Sequence, residues 1–331
     1  MRSSRTKAIK QHVFGALSTT LIFAAAGAWA QPVYPQKPVR MIVPFPPGGG
    51  IDHVTRVLAP KLAKAWGKPV VVENLPGAAG SVGAERISKS TPDGHALLLT
   101  GDAAMTTNVA LYPALKYDPT RDFAPITMIA VMPNIVVVHP SLPVKSMKQL
   151  VALAKARPDE ISYASAGAGT SQHLGAELLK SVSGVDMLHV PYKGNAQILP
   201  DLLAGRVAVW FGTMVNTLPL VHEGKVRALA VTSATRVSSA PEMPTVAESG
   251  FPGFEAVAWA GLLAPARTPD AVVHKIHDEV IRAIALREVQ AKFVDAGMEI
   301  VGNSPDDFAA RIKSEITTKG KLVKAAGAKA D

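Results

Sequence analysis

A glycine-rich segment near the start of the chain has the composition of an anion-binding loop. Residues 44–52 read Pro-Phe-Pro-Pro-Gly-Gly-Gly-Ile-Asp, between a predicted strand (39–45) and a predicted helix (51–66). Glycines let a ligand approach the backbone, and the free N–H groups and dipole of a helix start attract negative charge. The Gly-Lys-Ser/Thr of a P-loop and the spacing of a dinucleotide-binding loop are missing. The segment predicts an anion site, with an ordinary glycine-rich turn as the alternative.

A second segment, residues 163–174, again links a strand to a helix through small residues. Within it, Thr170 and Ser171 could cap the helix or donate their hydroxyls to a carboxylate. Two such loops facing each other across a cleft could hold the two ends of a dicarboxylate without a buried arginine. Tyr192 or Lys193, in a third segment (189–195), could line the same cleft, although a lone lysine is more often solvated.

The residues that support other chemistries do not form recognisable patterns. The chain has no cysteine, which excludes disulfides and thiolate metal sites. The histidines show no metal-binding spacing, and residues 79–83 lack the first glycine of a nucleophile elbow. No nucleophile, base and orienting group come together in the pattern. We therefore predict no catalytic residues, no metal, no cofactor and no enzymatic activity.

The N-terminus has the three parts of a secretory signal peptide. The first ten residues carry four basic side chains, an apolar run follows over 13–26, and Ala28-Trp29-Ala30 matches a cleavage site. Ser18, Thr19 and Thr20 interrupt the apolar run, which disfavours a membrane anchor. We therefore expect residues 1–30 to be removed and the mature chain to begin near Gln31, in the periplasm.

Charge and composition disfavour nucleic acid as a partner. The net charge of +9 falls to 9 − 4 = +5 once the four basic residues of the signal are removed, and aromatic residues make up only 5% of the chain. No basic block is interleaved with aromatics, as nucleic-acid binding would favour. After the signal, no stretch of about 18 residues is continuously apolar, so we expect a soluble mature chain.

Strands and amphipathic helices alternate along the chain, which predicts an α/β fold with mostly parallel sheets flanked by helices. Two apolar stretches, 134–139 and 256–264, are predicted to cross between two lobes and act as a hinge. The first lobe is predicted to span 31–131 plus 256–331, and the second 132–255. Helix starts are predicted at Ser146 with Gln149 as a capping box, at Thr268-Pro269 and at Ser304-Pro305.

The mature chain closely resembles the substrate-binding proteins of tripartite tricarboxylate transporters, the Bug family. The segments that show the resemblance are 44–52, 72–74, 76–80, 91–94, 167–174, 189–194, 227–232, 244–248 and 259–262. It implies a two-lobe periplasmic-binding-protein fold of type II that closes on a small carboxylate. Carried over, the ligand-binding residues are Phe45, Gly49, Gly50, Asp52, Ser81, Thr100 and Gly101 in the first lobe, and Ala166, Gly169, Thr170, Ser171, His173 and Gly194 in the second.

The resemblance implies an extracytoplasmic solute-binding protein that delivers a di- or tricarboxylate, or an aromatic acid, to the permease subunits of a tripartite transporter. We expect it to act as a monomer. The family often has Asp where this chain has Ala208 and Gly212, so we expect a plain carboxylic acid rather than aspartate or glutamate. One alternative is a periplasmic ligand sensor for a two-component system, and a further one is a hydrolase.

Overall fold

The computed structural model describes residues 34–328, so the predicted signal peptide lies outside the described residues. Within that part of the chain, no helix is long and apolar enough to span a bilayer. The strands, in chain order, are β1 (Val39–Val43), β2 (Val70–Asn74), β3 (Ala96–Gly101), β4 (Phe123–Met132), β5 (Asn134–Val138), β6 (Ser162–Ser165), β7 (Leu188–Pro191), β8 (Val209–Thr213), β9 (Arg227–Val231), β10 (Ala258–Pro265) and β11 (Glu299–Ile300).

Helices connect most of these strands. They are α1 (Gly50–Trp66), α2 (Ser81–Ser88), α3 (Asn108–Leu111), α4 (Met147–Ala156), α5 (Ser171–Ser183), α6 (Asn195–Leu203), α7 (Met214–His222), α8 (Asp270–Ile284), α9 (Arg287–Asp295) and α10 (Pro305–Ala325). A short 3₁₀ turn (Ala78–Gly80) precedes α2, and a π-helical turn (Ala103–Thr107) precedes α3.

The strands of residues 34–328 form two sheets, which confirms the predicted α/β fold with two mixed sheets. The first sheet has the order β11-β4-β10-β3-β1-β2, and the second has the order β7-β6-β8-β5-β9. Strands that are connected through helices form the parallel pairs. β1, for example, pairs in parallel with β2 and with β3. β10 instead runs antiparallel to β3 and β4, and β5 runs antiparallel to β8 and β9. The prediction of mostly parallel sheets is therefore wrong, because strands that arrive from the other sheet pair antiparallel.

The chain passes between the sheets at two points. It leaves the first sheet with β4 and enters the second with β5, with Pro133 between them, and it returns to the first sheet as β10. Thr232 joins the two passages: its backbone N–H donates to Asn134 O (2.9 Å), and its hydroxyl donates to Ala256 O (2.7 Å). The predicted lobe boundaries stay a prediction, but the strands on either side of these passages belong to different sheets.

Both faces of each sheet are buried under helices. In β5, Ile135 and Val137 pack into one apolar cluster, while Val136 and Val138 pack into another. Alternate residues of β1 divide in the same way, with Met41 on one face and Ile42 on the other. Continuously apolar strands are therefore required here, since side chains of neighbouring residues point to opposite faces.

Two of the three predicted helix starts are confirmed. The Ser146 hydroxyl accepts from Gln149 N, and the Ser304 hydroxyl accepts from Asp307 N, with Pro305 as the first helical residue. The start predicted at Thr268 is wrong by one residue, because Pro269 is the N-cap of α8. The Thr268 hydroxyl instead donates to Pro265 O (2.7 Å) in the preceding turn.

Candidate functional site

The loop between β1 and α1 places an uncapped helix start at the carboxyl end of the first sheet. α1 begins at Gly50 with Gly49 as its N-cap, and none of the described side chains caps this end. The first backbone N–H groups of a helix have no acceptor within the helix, and they mark the positive end of its dipole. Gly49 is exposed. This is the anion-attracting geometry that the sequence predicted for the loop.

Asp52 fixes this loop in place. Its Oδ2 accepts hydrogen bonds from Gly48 N and Arg56 Nε, both at 2.9 Å, and its Oδ1 accepts from Asn74 Nδ2 at 2.9 Å. Burial favours a raised pKa for the Asp52 carboxyl, but the hydrogen bonds from Arg56, Gly48 and Asn74 outweigh burial and lower that pKa. The side chain is therefore an ionised anchor whose two oxygens are already paired with protein groups.

The second predicted loop lies between β6 and α5. Thr170 is the N-cap of α5: its hydroxyl accepts from His173 N (3.4 Å) and donates to Gly167 O (2.8 Å). Two backbone donors of this loop are also engaged within it, since Ala166 N donates to Gln172 Oε1 (3.0 Å) and Gly169 N donates to His173 Nδ1 (3.1 Å). Ala166 and Gly169 can therefore shape the loop, whereas the first turn of α5 supplies the N–H groups that remain.

Gly169 brings the second loop against the segment that follows β3 of the first sheet. A Cβ at position 169 would overlap Leu111 Cδ1 and would lie 3.1 Å from Thr107 Cγ2. Glycine is also required by the backbone here, because its φ is 75°. The two predicted halves of the site thus meet at residues 103–111, a segment that the sequence did not single out.

Ser81 belongs to a strained turn that Asn108 holds. Ala78 and Ala79 both have left-handed backbones, with φ of 46° and 49°. Each such residue costs about 1–3 kcal/mol and persists only where its surroundings fix it. Asn108 Nδ2 does so by donating to Ala79 O (3.1 Å) and to Ser81 Oγ (2.8 Å). Asn108 therefore holds Ser81, a predicted ligand contact, in place.

Two polar atoms of this segment lack partners among the described residues. Thr107 Oγ1 and Asn108 Oδ1 are fully buried and make no hydrogen bond there. The orientation of the Asn108 amide follows from its Nδ2 contacts, so the atom left over is an acceptor. An unsatisfied buried polar group costs about 1–3 kcal/mol. The Thr107 side chain lies beside Gly169, and the Asn108 side chain contacts Ser81.

The remaining predicted residues of the first lobe lie at the same end of the first sheet. A Cβ on Gly80 would lie 3.1 Å from Phe45 Cζ, so the Phe45 ring contacts the strained turn. Gly101 packs against Ile51, and Thr100 is fully buried with its hydroxyl 3.4 Å from Gly101 O. Thr100 is therefore a strand-end core residue.

The predicted residues of the second lobe are also neighbours. Gly194 is the N-cap of α6, and its loop lies beside the second loop, since a Cβ on Gly167 would lie 3.6 Å from Tyr192 O. The Ser171 hydroxyl accepts from Asn134 Nδ2 at 3.1 Å. This bond links a predicted ligand contact to the first passage between the sheets.

Sequence reasoning missed a polar cluster at the carboxyl ends of β7 and β8. Gln172 Nε2 donates to Asn195 Oδ1 (2.8 Å), and Asn195 Nδ2 donates to Thr213 Oγ1 (3.3 Å). Asn216 Nδ2 donates to the same hydroxyl at 3.0 Å. The carboxyl ends of parallel strands meet at one edge of a sheet, so the rule that selected the first two loops could have found these residues.

Two residues of β8, Trp210 and Gly212, limit what this strand can contribute to a ligand pocket. Trp210 is fully buried, and its Nε1 donates to Gln172 Oε1 at 3.0 Å, so it is a core residue. Position 212 has no room for the aspartate that the family resemblance led us to consider, because a Cβ there would lie 2.8 Å from the Trp210 ring and would overlap Thr217.

Two cavities in the described part of the chain differ in their relation to the predicted loops. A cavity of about 750 Å³ lies beside β1 and α2, lined by residues such as Arg40, Arg86 and Asp93, and contains no predicted site residue. A cavity of about 290 Å³ lies between α5 and α10 and includes Ser171. The candidate site is placed by the loops, because their helix starts supply backbone N–H groups for an anion, and the smaller cavity borders the second loop at Ser171, the first residue of α5.

Comparison with known proteins agrees with this geometry. The profile of the "Tripartite tricarboxylate transporter family receptor" (TctC) matches residues 54–328. BugT of Bordetella pertussis is 36% identical over 93% of this chain and 96% of its own length. The structure of R. palustris Rpa4515 with adipate has a TM-score of 0.81 at 35% identity, covering 89% of this chain and 99% of that one. MatC from Rhodopseudomonas palustris with bound malate has a TM-score of 0.77 at 32% identity, covering 88% and 100%.

The two sheets and their shared loop end thus define a periplasmic-binding-protein architecture, the class to which these solute-binding structures belong. The chain belongs to the tripartite tricarboxylate transporter receptor family, and its Bug-named relatives place it with the Bug proteins.

Proposed function

We propose that this chain captures a small carboxylate outside the cytoplasm and delivers it to the membrane subunits of a tripartite transporter. The observation that carries the proposal is that two helix starts, α1 and α5, follow strands of different sheets, and that the loop before α5 packs against the segment after β3 of the first sheet. A helix start binds anions through backbone N–H groups and its dipole. The relatives solved with adipate and malate support a carboxylate as the ligand.

The proposed ligand-binding residues are those named from the sequence, supplemented by Thr107 and Asn108, but without Asp52, Thr100 and His173, which are buried and bonded within the protein. One carboxylate would meet the first turn of α1 beside Gly49 and Gly50, and the other would meet the first turn of α5 beside Ser171. Thr107 contacts the second loop at Gly169, Asn108 holds the turn at Ala79 and Ser81, and each carries an unpartnered buried oxygen. These oxygens could accept hydrogen bonds from ligand hydroxyl groups or from bound water.

We further propose that the chain works as a monomer in the periplasm after loss of residues 1–30 and releases its ligand unchanged. The basic start, apolar run and Ala-Trp-Ala pattern support export. Intact mass of the protein recovered from the periplasm would report the cleavage site, and sedimentation would report the oligomeric state. Hydrolysis or any other turnover of a bound acid, seen by mass spectrometry, would contradict a pure binding role.

A screen of acids should show selective stabilisation by plain carboxylates. We expect adipate, malate, succinate, citrate or benzoate to raise the thermal midpoint of the purified mature protein. A ligand at a hundredfold excess over its Kd stabilises the native state by about 2.7 kcal/mol. Differential scanning fluorimetry, followed by calorimetry on each hit, makes the measurement. The absence of any shift across all these acids would contradict the proposal.

The same screen contains a matched test of ligand charge. Succinate and aspartate share a carbon chain but differ in an ammonium group, and burying an unpaired cation is costly. Position 212 cannot hold a carboxylate, and both oxygens of Asp52 are already paired. We therefore expect succinate to bind more tightly than aspartate. Tighter binding of aspartate would show that another carboxylate receives the ammonium group.

We also expect the two sheets to close around the ligand, hinged where Thr232 bonds to Asn134 and Ala256. A ligand that contacts both loops favours the closed arrangement by its differential free energy. Small-angle scattering with and without a saturating acid from the screen should show a smaller radius of gyration in its presence. An unchanged radius of gyration at saturation would count against the hinge.

A further inference from the structure

The second binding loop is held from within by a histidine. Gly169 N donates a hydrogen bond to Nδ1 of His173 at 3.1 Å, and His173 is only 3% exposed. Nδ1 can accept this bond only through its lone pair, so the ring is neutral with its proton on Nε2. A proton on Nδ1 would set one N–H group against another, and the Gly169 amide would lose its acceptor.

The surroundings of this ring disfavour a second positive charge. The rings of His173 and His189 are stacked with centroids 4.1 Å apart, and the Tyr163 ring stacks on His189 at 4.8 Å. His189 Nε2 lies 2.7 Å from Ser165 Oγ, so the neighbouring histidine also holds the start of the loop. Two imidazolium ions at this separation would repel each other, and burial disfavours the charged form of His173.

Charged groups on the neighbouring helices are already paired. On α5, Glu177 accepts from the Tyr163 hydroxyl (2.6 Å) and pairs with Lys180 (3.0 Å). α10 packs against α5, and its charged residues near Ser171 form ion pairs among themselves, namely Arg311, Glu315 and Lys319. On the segment after β3, the residues that touch Gly169 are uncharged. Burial lowers the pKa of His173, Lys180 adds to that effect, and Glu177 opposes it.

We propose that His173 is a positioning residue: its neutral imidazole holds Gly169 in the binding conformation, so acidification releases the loop and weakens carboxylate binding. The proposal rests on the function proposed above for the same loop. Gly169 is pressed against Leu111 and Thr107. A loop that loses its internal acceptor therefore cannot shift without disturbing the contact between the two halves of the site.

The sign of the pH dependence follows from the direction of the pKa shift. Because the pKa of His173 is lowered in the folded protein, the ring stays neutral and the loop intact through the ordinary titration range of histidine. Folding stability declines as pH falls below the pKa of an unfolded-state histidine, because the unfolded chain binds the proton first. Ligand affinity should fall only at lower pH, by about tenfold per pH unit below the folded-state pKa of His173.

The matched variants are His173→Asn and His173→Leu. An asparagine places Oδ1 close to the position of Nδ1 and accepts the same bond without titrating, whereas leucine fills space but accepts nothing. Calorimetry with adipate and with malate over a pH series should show three profiles. The native protein loses affinity as the pH falls. His173→Asn loses only the affinity that protonation of the ligand itself removes. His173→Leu binds weakly at every pH. A His173→Asn profile that matches the native one would overturn the proposal, as would weak binding by His173→Asn at neutral pH.

A second measurement does not depend on the ligand. In nitrogen-15-labelled native protein without ligand, the amide resonance of Gly169 should shift with the titration of the His173 ring, and in His173→Asn it should not. If the Gly169 amide resonance does not shift as the His173 ring titrates, the proposal is overturned even where carboxylate binding is found. If neither acid binds at any pH, the proposed function fails, and the amide titration still decides whether His173 holds the loop.

Discussion

Replacing Gly169 by valine is expected to weaken carboxylate binding strongly. A β-branched residue at a φ of 75° is strained, and its Cβ would overlap Leu111 Cδ1 across the contact between the loop and the segment after β3. Left-handed strain and overpacking each cost about 1–3 kcal/mol. If the combined cost of about 2–6 kcal/mol falls on the ligand-binding arrangement, affinity drops by at least about 30-fold. Calorimetry with the tightest-binding acid of the screen makes the measurement.

Two control variants separate strain from ligand contact. Gly49 has a φ of −81°, and a Cβ there would come no closer than 3.9 Å to a protein atom outside its immediate neighbours. Gly49→Ala is therefore tolerated by the fold, and any loss of affinity would report a ligand that approaches the Gly49 backbone. Lys193 is exposed, so Lys193→Ala should change affinity little, because the charge of an exposed lysine is screened.

The order of these effects tests how the anion is recognised. Backbone recognition predicts the greatest loss for Gly169→Val and the least for Lys193→Ala. If Lys193→Ala instead removed binding while a folded Gly169→Val retained it, a side-chain cation would be the recognition element. Circular dichroism and a thermal melt of each variant must first show a folded protein.

The sequence was sufficient to locate both loops because each carries its own local signal. A short glycine-rich segment between a β-branched run and a helical repeat can be recognised from neighbouring residues alone. The caps at Ser146 and Ser304 are equally local, because each hydroxyl bonds to a residue three positions further on. The same local reasoning missed β4, a ten-residue strand, although it recognised β5 next to it. Pro125 and Pro133 interrupt the apolar run there, and prolines usually argue against a strand in the middle of a sheet.

What the sequence could not show depends on contacts between distant segments. Asn108 supports the turn at Ala79 across 29 residues, and Thr232 bonds to Asn134 across 98. Asp52 reads as a candidate ligand contact in the sequence, but Asn74 and Arg56 occupy its oxygens once β2 lies beside β1. Such pairings follow from strand order, which a pattern of local propensities does not fix.

The contacts that join the segments farthest apart in the sequence form a buried charge network near the second passage between the sheets. The Nζ of Lys319, on α10, forms one ion pair with Asp102, directly after β3, and another with Glu315 Oε2 at 2.8 Å. Glu315 also pairs with Arg311 and accepts from Trp259 Nε1 at 2.9 Å. The side chains of Lys319, Glu315 and Asp102 are 15%, 9% and 7% exposed. These contacts anchor the C-terminal helix to β3 and β10.

Burial and charge pairing act in opposite directions in this network, and pairing prevails. Burial favours a lower pKa for Lys319, but Asp102 and Glu315 hold it above its ordinary value. Burial favours a raised pKa for Glu315, but Lys319 and Arg311 hold it below its ordinary value. The stabilisation from Glu315 is therefore lost as pH falls through its lowered pKa, and that from Lys319 is lost as pH rises through its raised one.

Lys319→Met should be among the most destabilising single changes outside the apolar core. It leaves the nearly buried carboxylates of Asp102 and Glu315 without their shared cation, and breaking a buried pair in this way costs about 3–5 kcal/mol. Lys89→Met is the matched control, because Lys89 pairs with Glu85 at 2.6 Å but is 65% exposed, and we expect a far smaller loss there. Urea unfolding at neutral pH gives both free energies.

The pH dependence of the stability lost in Lys319→Met gives a second test of this charge network. Without Lys319 the two carboxylates repel each other and are desolvated, so the pKa of Glu315 rises and mild acid relieves the penalty by protonating that carboxyl. The stability gap between native and Lys319→Met should therefore narrow as pH falls toward the carboxylate range. Asp102→Asn/Lys319→Met, which removes one of the stranded charges, should recover part of the loss at neutral pH. A gap that is independent of pH and unchanged in the double variant would mean that Lys319 stabilises the protein by packing its aliphatic chain.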